Sequence, residues 1–455
     1  MDLAVVKKRH EEIERYIQND DLDMATKRSM DFVTDFSVDR TKRREAINIR
    51  ASYSALRKEY RQFGRTKEIE IRFKKLIDQI LEFIDEIEES FETYTITEYS
   101  HRDDLNQDNK DKQKESLTPY EKAKKRFKKE KQKPVTLIDT QNLKREEIVF
   151  CAREVTKTYK SNSINFSFKP IDLDLRYGEI TALVGENGNG KSTLLNIVAG
   201  ELLHSSGEID YPQLVGEKKD NWYHIKTQIA YIEQELPKWQ GFLRDNLHFT
   251  LGINGIKGQE NIDEVDFVIH RLGLEKYADA KWDEISGGFK MRFSLARAIL
   301  RKPKLLILDE PLANLDINTQ NLFLTDLRDL ANSLKNRMSV IVSSQNLYEV
   351  EAISDNIIFL SEGKAIYNGR VEEFGEDRDE NSFEVHIDIS EDELLSVLES
   401  VEYINIKKDG QNYIINTQRS VTAKGLLELF LANGLEVRYF RDISKSTRKR
   451  CGEIK

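Results

Sequence analysis

The chain has 455 residues, 33% charged and 39% hydrophobic, with a net charge of −9. That length allows about three domains, and the acidic balance argues against bulk binding of polyanions. No apolar run approaches the ~18 residues of a membrane-spanning helix, and the first residues lack the apolar core of a signal peptide. Only Cys151 and Cys451 are present, far apart. They fit a reducing cytosol and give neither a disulfide framework nor a metal pattern.

Residues 1–99 hold no proline and a single glycine, Gly64, so little interrupts helix formation. Ile69, Phe73, Leu76, Ile80, Phe83, Ile87 and Phe91 recur every three or four residues, the stripe of an amphipathic helix. Weaker stripes run through 4–18, 21–36 and 39–62, with Asp21 and Asp39 placed as N-cap or first-turn acids and Gly64 as a C-cap. The prediction is an all-α bundle whose Tyr and Phe residues form its core.

Residues 100–146 turn polar and charged, and that composition buries too little apolar surface to offset chain entropy. A flexible linker is predicted. Its second half is basic, with Lys122, Lys124, Lys125, Arg126, Lys128, Lys129, Lys131 and Lys133. The bland reading is a solvated spacer. Such a cluster also suits anionic lipid headgroups, at about 1 kcal/mol per residue near the surface, or nucleic-acid phosphates. Only Tyr120 and Phe127 interleave it, which is no single-strand stacking pattern, and no specific nucleic acid is expected.

From residue 147 β segments alternate with helices, and all but one of the 22 glycines lie beyond residue 99. Ile180 to Val184 reads as a strand that runs into Gly185-Glu186-Asn187-Gly188-Asn189-Gly190-Lys191-Ser192-Thr193, which fits G-x-x-x-x-G-K-[ST] at every fixed position. Glycines at 185, 188 and 190 let backbone N–H groups and a helix N-terminus face a polyphosphate. Lys191 can reach the terminal phosphates and the Ser192 hydroxyl can ligate Mg²⁺. Leu305 to Leu308 is a buried strand ending in Asp309, placed for the Mg²⁺ shell, and Glu310, placed to activate a water. Ser286-Gly287-Gly288 opens a helix just before it, a second arrangement of hydroxyl and amides suited to phosphate.

Taken in order, these motifs make residues 147–375 resemble an ATP-binding cassette (ABC) ATPase domain. The resemblance implies an α/β P-loop fold with a mixed-sheet core, an antiparallel β subdomain and a helical subdomain. Tyr159 matches the aromatic that stacks on adenine, and Gln234 the residue that senses Mg²⁺ and couples to a membrane partner. Ser286-Gly287-Gly288 matches the family signature, and Ala313-Asn314-Leu315-Asp316 its D-loop. The interval from Lys191 to Asp309 leaves no room for the long coiled coil of chromosome-maintenance relatives, and one cassette argues against the tandem translation-factor branch.

The implied machine is a head-to-tail dimer of two cassette chains, by default identical. Each ATP lies between one chain's Lys191 loop and the other chain's Ser286-Gly287-Gly288. Two residues depart from the family pattern. Gln345 stands where a switch histidine is usual; its amide can donate to a γ-phosphate but carries no charge, so slow hydrolysis is expected. Phe289 stands where a polar residue is usual.

The last stretch, 381–455, alternates apolar segments (Phe383 to Ile387, Tyr403 to Ile406, Asn412 to Ile415) with helical ones near 391–400 and 422–433. A small α+β domain is expected, similar to the C-terminal domain of drug- and lipid-exporting ABC ATPases. The predicted domains are therefore 1–99, 100–146, 147–380 and 381–455. The function implied is the ATP-hydrolysing subunit of an exporter, cytoplasmic at the inner face of the membrane, with a transmembrane permease on a separate chain. The alternative is a signalling or defence-type ABC ATPase whose helical N-domain recruits a protein partner.

Overall fold

The computed structural model describes residues 3–37, 39–104, 147–159, 166–214, 221–313, 315–374, 380–398, 401 and 403–442. The basic cluster around Lys122 to Lys133, most of the predicted linker, and Asn314 lie outside these. Four helices come first: α1 (Leu3–Gln18), α2 (Leu22–Phe36), α3 (Arg40–Phe63) and α4 (Lys67–Asp104). The predicted caps are in place. Asp21 accepts from Met24 N at 3.1 Å, Asp39 accepts from Thr41 N at 2.8 Å, and Gly64 ends α3 at φ +72°. Helix α4 runs through residue 104, past the predicted boundary at 99, because its polar end contains no helix breaker.

Three strands form an antiparallel sheet in the order β2 (Ser167–Arg176), β1 (Ile148–Thr158), β4 (Ser206–Asp210). It packs on a six-stranded sheet, β5-β6-β7-β3-β8-β9. In chain order its members are β3 (Ile180–Val184), β5 (Ile229–Ile232), β6 (Leu305–Leu308), β7 (Ser339–Ser344), β8 (Asn356–Ser361) and β9 (Lys364–Arg370). All pairings are parallel except the last. Every residue of β3, β6 and β7 is buried, which is why β3 and β6 are nearly unbroken apolar runs instead of alternating ones, whereas β7 has an apolar centre flanked by buried serines. Helix α5 (Lys191–Val198) lies between the two sheets, where Leu194, Leu195 and Val198 meet Phe150, Phe168 and Leu183.

The short α6 (Trp222–Thr227) buries Ile225 in the same core as α5, and the other face of the large sheet is covered by a helical lobe: α7 (Leu243–Ile253), α8 (Gly258–Arg271) and α9 (Gly287–Leu300). Helix α10 (Ile317–Ala331) follows β6, and the short α11 (Leu347–Val350) follows β7. The described residues end in a four-stranded antiparallel sheet, β11 (Tyr403–Asp409), β12 (Asn412–Gln418), β10 (Glu380–Ile387), β13 (Val437–Asp442), backed by α12 (Glu391–Leu398) and α13 (Ala423–Ala432). This matches the expected α+β unit and adds strand β13, whose residues are mostly exposed and so carry no strong apolar signal.

The helical bundle does not hang free. Its core reaches the cassette through Phe267 of α8, and Arg43 lies over that ring at 4.4 Å. Beside it, Lys27 meets Asp326 of α10 at 3.2 Å, Arg28 meets Asp329 at 2.7 Å, and Arg271 of α8 meets Asp31 at 2.7 Å. Asp35 accepts from Ser333 Oγ and from the N–H groups of Leu334 and Lys335. Buried charges survive only with such partners. Lys27 and Asp326 are 1% and 0% exposed.

Candidate functional site

The Gly185–Thr193 loop leaves the end of β3 and enters α5 as expected. Gly188 and Gly190 sit at φ +83° and +96°, a region that L side chains rarely adopt. At Gly185 a Cβ would come within 2.5 Å of the Leu360 carbonyl, so glycine is required there for close approach. Asn189 spends its side chain on the protein: its amide donates to Leu360 O and its carbonyl accepts from Glu362 N. Glu186 and Asn187 are exposed at the loop crest.

The loop lines a cavity of about 450 Å³ together with Tyr159, Phe166, Gln234 and Glu310. Asn187, Gly188, Gly190, Lys191, Ser192 and Thr193 all reach it. Tyr159 closes one end; its hydroxyl is 3.4 Å from Thr193 Oγ1 and its ring centroid 6.4 Å from that of Phe166. Phe166 went unread in the sequence, because an aromatic one residue before a strand with Phe168 looks like any strand-start residue. Its position against Gly190 marks it as a wall of the cavity.

At the other end one lysine and two glutamine amides converge on one carboxylate. Lys191 Nζ donates to the carbonyls of Gly185 and Glu186 at 2.7 and 3.2 Å and lies 3.0 Å from Glu310 Oε1. Glu310 Oε2 accepts from Gln345 Nε2 at 2.7 Å and from Gln234 Nε2 at 3.3 Å. Glu310 itself holds φ +46°, a costly conformation for a non-glycine residue. Asp309 is buried next to it and accepts from Ser343 Oγ at 2.6 Å. Ser192, Gln234 and Asp309 are oxygen donors of the kind Mg²⁺ takes, and too few to enclose it, which fits a cation shared with phosphate.

Ser286, Gly287, Gly288 and Asp316 do not line this cavity. Ser286 stands at the N-cap of α9 with no side-chain capping bond. Asp316 caps α10, accepting from Thr319 N and Thr319 Oγ1, bonds that hold its carboxyl below the usual range. The unusual Phe289 packs on Tyr277 with ring centroids 4.2 Å apart, so it serves the interior of the helical lobe. A second, wider groove of about 650 Å³ opens between the sheet edge and that lobe. Its wall includes Leu236, two residues past Gln234, and the exposed Tyr223, Phe249 and Ile253.

A family profile described as ABC transporter matches residues 168–313. The chain is 31% identical over 245 residues to the phosphonates import ATP-binding protein PhnC 2 of Cupriavidus metallidurans, covering 52% of this chain and 86% of that protein. It is 28% identical over 294 residues to the uncharacterized ABC transporter ATP-binding protein YxlF of Bacillus subtilis, covering 64% and 94%. Among solved structures, cbiO1 of Clostridium perfringens, part of the ABC transporter complex cbiONQ, matches with 26% identity and a TM-score of 0.45 over 51% of this chain and 92% of that one. With the phosphate loop, the strand-end carboxylates and the sheet order in hand, the chain belongs to the ABC transporter ATP-binding proteins, an ATP-binding, ATP-hydrolysing P-loop family.

Proposed function

We propose that this chain is the ATP-hydrolysing subunit of an ABC exporter, acting as a head-to-tail dimer beneath a membrane subunit on a separate chain. The observation that carries the ATPase reading is the convergence of Lys191, Gln345 and Gln234 on the Glu310 carboxylate at the end of a phosphate loop. ATP entering the cavity brings its γ-phosphate to Lys191, which exchanges one oxygen partner, Glu310, for another. Glu310 is then free to accept a proton from the attacking water as general base. Gln345 keeps that carboxylate aimed and can turn its amide to the phosphate. Tyr159 and Phe166 offer aromatic faces for the base. Mg²⁺, held by Ser192, Gln234 and Asp309, would supply charge neutralisation on the phosphates.

Two further observations support assembly. Ser286-Gly287-Gly288 and Asp316 stand outside the cavity of their own chain, which suits service to the nucleotide of a second copy. The groove with Tyr223, Phe249 and Ile253 exposes apolar side chains beside the strand end that carries Gln234, which suits docking of a membrane subunit and relay of nucleotide state to it. No helix of the described residues is long and apolar enough to cross a membrane itself. Placement at the inner membrane face is part of this proposal. The two-helix, four-stranded C-terminal domain supports export, whereas the phosphonate relative is named for import.

The test is twofold. A tagged Glu310→Gln chain with ATP should elute as a dimer and return to monomer with ADP. The same bait in detergent should retain a polytopic membrane protein. A monomer under both nucleotides sinks the sandwich, and failure to retain any membrane subunit sinks the transporter role. Uptake into inverted vesicles carrying the complex decides direction.

A further inference from the structure

We propose that Ser343 is a positioning residue for Asp309 and Glu310 at the end of β6, acting on the carboxylate of the first and the backbone of the second. It lies on β7, the parallel neighbour of β6, one residue past the Leu308–Val342 pairing. Its side chain is completely buried. The hydroxyl is used twice: Oγ donates its proton to Asp309 Oδ1 at 2.6 Å and accepts the N–H of Glu310 at 2.8 Å. The first bond, with the Tyr231 side chain as a second partner, restrains the rotation of the Asp309 carboxylate. The second anchors the peptide between Asp309 and Glu310, at the point where Glu310 takes its left-handed φ of +46°. A strained backbone persists only where its surroundings over-determine it, and this hydrogen bond is one such restraint.

The plain alternative is a small buried side chain that merely fills space. Ser339, at the other end of the same strand, is that case: it is equally buried, and its hydroxyl makes no hydrogen bond among the described residues. Two serines on one strand thus provide a matched pair, one tied to the site and one not.

The inference rests on the reading of Asp309 and Glu310 given above. Its test is steady-state ATP hydrolysis by the full chain, with ATP and Mg²⁺ varied separately and ATP affinity measured at equilibrium. Ser343→Ala should lower kcat roughly 10- to 100-fold while leaving ATP affinity within about threefold. It should also raise the Mg²⁺ concentration needed for half-maximal rate. Ser343→Thr keeps the hydroxyl and should recover most of the rate, and Ser339→Ala should stay within about twofold of the parent. If alanine unfolds the chain, Ser343→Cys carries the test, with the same split of kcat from affinity expected, because a thiol keeps the shape but donates weakly. A Ser343→Ala enzyme with unchanged kcat, or a Ser339→Ala loss of equal size, overturns the proposal. Glu310→Gln is run alongside; if it still turns over normally, the reading of the site fails instead.

Discussion

Gln345 and Glu310 are joined by a 2.7 Å hydrogen bond from the glutamine amide to the carboxylate. A histidine at that position could charge; the amide cannot. The amide donor does not itself titrate, so it restrains the Glu310 carboxylate without adding positive charge to the cavity. Gln345→Ala removes the donor and should reduce the steady-state ATPase rate by about tenfold or more, the scale of a hydrogen bond to a charged group. Gln345→His should raise turnover and introduce a titration near pH 6 to 7. An unchanged rate and a flat pH profile in the histidine variant would show that this position is idle.

Lys191 and Glu310 make the second expectation. Their 3.0 Å pair is almost wholly buried, so ATP must compete with a carboxylate for the lysine. Glu310→Gln abolishes that competition together with the proposed general base. Hydrolysis should fall by roughly 10²- to 10⁴-fold, and ATP should bind more tightly than to the parent. Titration calorimetry with ATP reads the second effect, and weaker binding would contradict the competition.

Much of this was legible in the amino-acid order. The loop from Gly185 to Thr193 and the strand ending at Asp309-Glu310 have local signatures, because a phosphate cradle and a buried parallel strand each demand specific residue types in sequence. The caps at Asp21, Asp39 and Gly64 are local for the same reason. What stayed hidden depends on contacts between distant segments. Phe166 and Ser343 have ordinary neighbours and gain meaning only from what the fold sets beside them. The docking of the bundle is hidden likewise, since Lys27, Arg28, Asp326 and Asp329 read as solvated helix charges until α2 meets α10.

That interface gives a stability test. Asp326 is fully buried and serves Lys27, Arg271 and Arg292 together. Asp326→Ala leaves three buried cations short of an anion, a loss expected to cost about 3–5 kcal/mol. Lys27→Met should cost less, because Asp326 keeps both arginines. Urea unfolding followed by far-UV circular dichroism ranks the two, and equal losses would mean that the charges there are hydrated after all.

Asp329 contributes a pH dependence to the same contact. Burial, reinforced by Asp31, pushes its carboxyl up to about 6, against the pull of Arg28 and Arg271. A carboxyl raised above its unfolded value of 3.8 binds more protons in the folded state than in the unfolded one. Its contribution to stability is then complete below that unfolded value and is lost as pH climbs through the folded one. Asp35, also raised by burial at this interface, acts with the same sign, whereas Asp23 and Glu264, held low by their arginines, act with the opposite sign and mask the effect in the parent protein alone. The difference between parent and Asp329→Asn isolates it. Parent minus variant melting temperature should fall as pH rises from about 4 to about 6.5 and level off above that. Parallel curves across that window would place the Asp329 carboxyl back in the ordinary range and remove any role for it in a pH-dependent grip of the bundle on the cassette.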